Sequence, residues 1–158
     1  MRLFELLKLQ EPTFDPGQAK VHLARYNRID HPIDVYKRGE FDEWQRWQNG
    51  PNFNCQVVVS LIQVGSSTRW MFAGLFRTKG FRIVSRAEGD LHYYELARLQ
   101  STADLEGRLF CTSAYKHRQS YVHCKTVADL TVTELLAEKL SVGAFPGYKR
   151  VNISKDEL

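Results

Sequence analysis

A chain of 158 residues with 43% hydrophobic and 12% aromatic side chains can bury its own core as one domain, which excludes an intrinsically disordered segment. Its longest apolar run, VVVSLIQV at residues 57–64, is strand length and far short of a bilayer, which excludes a membrane-spanning helix. The formal net charge of +4 is unevenly spread: residues 1–43 hold eight acids to seven bases, but residues 44–87 hold no Asp or Glu against Arg46, Arg69, Arg77, Lys79, Arg82 and Arg86.

In chain order, MRLFELLKLQEP breaks its apolar residues with Arg2, Glu5 and Lys8. It therefore reads as one or two turns of amphipathic helix with Leu3, Leu6 and Leu7 on one side, not as a secretory leader. AKVHLARYN, residues 19–27, alternates and predicts a strand entered through the Pro16-Gly17 turn. After His31-Pro32, early acids and a stop at Asn49-Gly50-Pro51 predict one helix whose face carries Phe41, Trp44, Gln45 and Gln48. Residues 54–64 predict a strong strand. GSS is a turn, TRWMFAGLFRTKG a second strand returning at Lys79-Gly80, and FRIVSR a third. DLHYYELARLQ is taken as a strand for its His-Tyr-Tyr cluster. Residues 108–114 and 121–127 are expected to form a hairpin across a polar tip, TVTELLAEKLS a short helix from about Thr131, and residues 150–153 a last strand. The expected fold is α+β: a small, mostly antiparallel, partly closed β-barrel-like sheet of PUA-like kind, flanked by one or two helices, whose closure disposes of strand edges.

Few residues suggest catalysis. No Gly-rich phosphate loop, nucleophile elbow or paired metal-binding histidines occur, and the acidic cluster Glu88, Asp90 and Glu95 has no lysine at the spacing a metal-dependent nuclease would need. Cys55, Cys111 and Cys124 are an odd number, far apart, and read as reduced thiols of a cytoplasmic protein. His123 and Cys124 are neighbours on a strand and point to opposite faces, so they make a poor ligand pair. No catalytic residue, metal or cofactor is expected.

A binding surface is expected instead. A second acid-free stretch, residues 107–128, carries Arg108, Lys116, Arg118 and Lys125. Charge segregated in this way favours a polyanionic partner over an evenly solvated sheet face. Arg77, Lys79, Arg82, Arg86, Lys116 and Arg118 are assigned to a nucleic-acid backbone. Trp44, Gln48, Trp70 and Tyr121 are assigned to a base pocket, in which aromatic faces stack on an exposed base and an amide reads its edge. The competing reading of the large aromatics Trp44, Phe53 and Phe76 is simply core. A rival from another class is a protein-interaction or oligomerisation domain docking through the helix that bears Trp44 and Trp47.

The last residues, SKDEL, spell a retention signal, but with no leader that signal has no route to its receptor. Ser154 and Glu157 also have capping-box spacing, which opens a helix and leads us to expect a further segment beyond Leu158. Three stretches, WQRWQNGPNFNCQVVVSLIQVGSSTRWMFAGLFRTKG, YYELARLQSTADLEGRLFCTSAYKHRQSY and GAFPGYKRVNISKDEL, resemble in that order the N-terminal domain of a bacterial family of GIY-YIG nucleases. The departure from that pattern is Trp47, where a small or polar residue is expected. The resemblance implies a single non-catalytic recognition domain over residues 1–158. Residues 145–158 would begin the linker to a nuclease domain, and the partner would be duplex DNA carrying a modified or flipped base, in a protein with no membrane attachment.

Overall fold

The computed structural model describes residues 2–26, 29–65, 68–112, 120–127 and 131–132. Its described elements are helix α1 (Leu3–Gln10), strand β1 (Ala19–Ala24), helices α2 (Pro32–Lys37) and α3 (Phe41–Arg46), and strands β2 (Trp47–Gln48), β3 (Val57–Gln63), β4 (Arg69–Val84), β5 (Leu91–Arg98), β6 (Leu109–Cys111), β7 (Tyr121–His123) and β8 (Thr131–Val132). The chain is α+β. Its strands run β2-β5-β4-β3-β1-β7, with β6 on β4 and β8 on β6, in a mostly antiparallel sheet curled into a half-barrel. Only β1 and β3 are parallel among the described pairs.

Local chemistry explains these choices. Six of the seven residues of β3, VVVSLIQ, are buried, the pattern of a strand covered on both faces. α1 opens with the Arg2 backbone N–H donating to the Glu5 carboxylate, and its Leu3 and Leu7 are fully buried. Burial of each such leucine contributes about 1.5–3 kcal/mol. They join Val21, Leu23, Val59 and Leu61 in the core on one side of the sheet. The opposite face lies under α2 and α3, where Val35, Tyr36 and Phe41 pack with Ala24, Ile62 and Met71. Phe53, Val58, Phe76, Tyr94 and Leu96 fill the remaining hollow of the curl.

Several expectations are corrected. The single long helix is two short ones, separated at Gly39, whose φ of 75° ends α2 in a conformation that suits glycine. Trp47 and Gln48 leave the helix altogether and pair with Tyr93 and His92 of β5. Lys79-Gly80 is not a return turn. β4 runs through it for 16 residues, and the register with β5 shifts between Thr78 and Gly80, so Lys79 is the extra residue of a bulge. The expected hairpin also fails: β6 borders β4 and β7 borders β1, far apart in the strand order. Thr131, expected to start a helix, pairs with Cys111 as part of β8. The last strand and the capping box at Ser154 lie outside the described residues.

Candidate nucleic-acid base pocket

One row of the sheet is unlike its neighbours. Across β7, β1, β3 and β4 the register aligns Tyr121, His22, Ser60 and Gly74, a polar line through an otherwise apolar face. α3 docks on this row by two polar residues three apart, which share a helix face. Gln45, with no exposed surface, accepts on its Oε1 from Ser60 Oγ at 2.7 Å and faces His22 Nδ1 at 3.1 Å. Its amide nitrogen has no partner among the described residues. Asp42 meets Arg98, which reaches from β5, through a two-pronged ion pair: Nε donates to Oδ2 at 3.0 Å and Nη2 donates to Oδ1. Arg98 Nη1 also donates to the Ala73 carbonyl at 2.7 Å and to Glu106.

This docking leaves a pocket beside α3 of about 370 Å³, lined by His22, Trp44, Trp47, Gln48, Asn52 and Tyr121 among others. The His22 ring stacks on Tyr121, with centroids 5.2 Å apart and planes 13° apart, and stands 6.0 Å from Trp44. Phe53 meets the ring edge-to-face, with centroids 5.4 Å apart. Gln48 ties the walls together: its Oε1 accepts from Tyr121 OH and from Asn52 Nδ2, and its Nε2 donates to the Gln45 carbonyl. Arg25 and Asp30 supply the charges at the lining.

Three of the four residues assigned to a base pocket, Trp44, Gln48 and Tyr121, therefore line one concavity. Trp70 does not. It is 1% exposed and packs in the α1-side core with Phe72, because the alternation of β4 aims it at that face. The backbone set divides. Arg77 is exposed on the side of α1, where the Glu11 carboxyl is lowered by its neighbours Ser101 and Thr13 and by the Arg77 charge. Lys79 is the exposed bulge residue, and Arg86 folds back on the Gly89 carbonyl at 3.2 Å. Only Arg82 of the described four is linked to the pocket mouth: its guanidinium sits 4.9 Å over the Tyr93 ring, which meets Trp47 edge-on at 4.7 Å. Lys116 and Arg118 lie outside the described residues.

Sequence reasoning missed His22, which was read as one position of an alternating strand. Burial holds its imidazole well below the ordinary 6.5, at about 4, against the opposing pull of the Gln45 hydrogen bond. The unfolded chain then takes up a proton near pH 6.5 while the folded chain resists until about pH 4. Stability is complete above pH 6.5 and falls through that window, by up to about 3 kcal/mol. Denaturant titrations of the wild type and of His22→Asn between pH 7 and pH 4 are expected to differ by this slope.

The three cysteines are thiols, with Cys124 buried and Cys55 and Cys111 half-buried. Burial is the first cause that raises Cys124, to about 12, which makes it an inert thiol. Among the described residues no group of three His, Cys, Asp or Glu is placed to hold a metal, and no helix is long and apolar enough to cross a membrane. Comparison of the chain with protein-family models, with curated proteins and with solved structures returned no match.

Proposed function

We propose that this chain is a DNA-recognition domain that receives one base, extruded from the duplex, between Trp44 and Tyr121. The observation that carries the reading is the pocket itself: an aromatic-walled hollow with amide groups, from whose mouth the Trp47–Tyr93–Arg82 stack leads to a cationic strand. Stacking on aromatic faces tolerates any base, and a guanidinium held over the Tyr93 ring is placed for a phosphate. The role of such a domain as the recognition half of a restriction-type GIY-YIG endonuclease, with cleavage supplied elsewhere, is supported by the sequence resemblance alone.

A salt titration with a short duplex containing a mispaired base tests the reading. Binding is expected to weaken as salt rises, with a log–log slope of roughly −3 to −4 for about four neutralised phosphates, and Arg82→Ala is expected to reduce that slope by about one. Trp44→Ala, which removes a pocket wall, is expected to weaken binding by about 1–3 kcal/mol at every salt concentration without changing the slope. If wild type and Trp44→Ala bind alike, the base does not enter here.

The rival reading, an interaction or oligomerisation domain, draws on Trp47 at 38% exposure and on Phe81 and Ile83, exposed by 59% and 53% on the β4–β5 ribbon. Trp44 is turned into the pocket, so the proposed Trp44/Trp47 helix face is reduced to Trp47. Concentration-dependent sedimentation without DNA would favour this reading.

A further inference from the structure

We infer that the pocket selects bases with an amino group at the pyrimidine 4-position or the purine 6-position, because His22 offers its floor a hydrogen-bond acceptor. The inference rests on the base-receiving reading above and adds what the base must carry. Gln45 sets the tautomer of the ring. Its side-chain oxygen faces both the Ser60 hydroxyl and His22 Nδ1, and an oxygen can only accept, so Nδ1 carries the proton. The other ring nitrogen, Nε2, then holds a lone pair. Gln45 is the hydrogen-bond partner of His22 among the described residues, and the 3% of His22 that stays exposed belongs to a residue of the pocket lining.

The surroundings keep the ring neutral. Phe41, Trp44, Phe53 and Tyr121 enclose it with aromatic faces and edges, Ser60 and the Gln45 amide are uncharged, and the charged groups of the same lining are Arg25 and Asp30. Burial disfavours the imidazolium accordingly. Two further polar groups of the wall are engaged within it: Tyr121 OH and Asn52 Nδ2 both donate to Gln48 Oε1.

A base entering from a duplex must leave its sugar at the mouth, so the atoms farthest from the glycosidic bond, the 4-substituent of a pyrimidine or the 6-substituent of a purine, reach the floor first. There an amino group donates to Nε2. A carbonyl oxygen would set its own lone pairs against that of Nε2 on a ring that is 3% exposed, a mismatch that buried polar sites reject strongly.

The test uses duplexes identical except for one base placed opposite an abasic site, where extrusion is cheap. Cytosine is expected to bind roughly tenfold or more tightly than uracil, and adenine than hypoxanthine. Gln45→Glu, whose carboxylate would hold a proton on both ring nitrogens, is expected to reverse the order. Because that variant could fail to fold, the imidazole nitrogen NMR spectrum of the wild type reads the tautomer directly, with Nδ1 expected to be protonated. An Nε2-protonated ring, or equal affinity for the cytosine and uracil duplexes, overturns the inference and leaves base reception standing. No binding to any of the four duplexes overturns both.

Discussion

Arg98→Ala is expected to destabilise the fold by about 3–5 kcal/mol, a large part of the 5–15 kcal/mol that holds a typical domain together. The side chain is 4% exposed and gathers two carboxylates and a carbonyl from three separate parts of the chain: Asp42 of α3, Glu106 beyond β5, and Ala73 of β4. Its guanidinium also lies 4.7 Å over the Phe76 ring. Alanine leaves the Asp42 carboxylate buried without its counter-charge, and most of the cost is that abandoned charge rather than the worth of the pair. Lysine should not restore the loss, because a point charge cannot serve Asp42 with two parallel bonds while holding the Ala73 carbonyl. Denaturant unfolding of the three proteins, Arg98 wild type, alanine and lysine, checks this. Near-equal midpoints would mean that water reaches Asp42 readily. Since Asp42 is one of the two polar points by which α3 is docked, Arg98→Ala is also expected to weaken the proposed DNA binding through misplacement of Trp44.

Gly74→Ala is expected to cost a comparable amount, about 3 kcal/mol or more, for a related reason. Gly74 has φ of 148°, in a region that essentially only glycine occupies, and an added Cβ would lie 2.5 Å from Arg98 Nη1 and 2.9 Å from the Phe76 ring. The backbone would have to move or the guanidinium would have to leave Ala73 and Glu106. The two substitutions should therefore be non-additive: once Arg98 is alanine, Gly74→Ala loses its main clash and keeps its backbone penalty and the Phe76 contact. A double-mutant cycle measured by denaturant unfolding checks the coupling, and strict additivity would show that the glycine is needed for its own conformation alone.

What was legible in the sequence follows the range over which its signals act. The apolar runs and lengths of residues 54–64 and 69–78 are local signals, and β3 and the first half of β4 appear where expected. The Lys79-Gly80 pair looks like a turn by composition. β5 lies alongside to pair with residues on both sides of it, so the ladder continues through a bulge and tertiary pairing overrides the turn preference. The helix over Trp44 to Gln48 was cut short for the same kind of reason: Trp47 and Gln48 gain a strand partner that no helical periodicity could announce. Trp44, Gln48 and Tyr121 were identified as pocket residues by type, whereas Trp70 was misplaced because the face a strand residue takes depends on register. Gln45 was placed on the right helix face, but His22 was hidden. A polar residue between apolar neighbours reads as solvent-facing until a helix is seen to cover it.

The way the pocket is assembled bears on how the molecule folds. β3, β4 and β5 follow one another in a meander whose pairings close short loops, but the Tyr121–Gln48 bond joins residues 73 apart and Arg25 meets Ser120 across 95. Contacts at such separation are reached late, because the chain must first give up the entropy of the long loops between them. The meander is thus the expected nucleus and the pocket the last part to form, so ligand affinity should appear in refolding only after most of the secondary structure. A chain that binds would then be one that has finished folding, and ligand would stabilise the completed state alone.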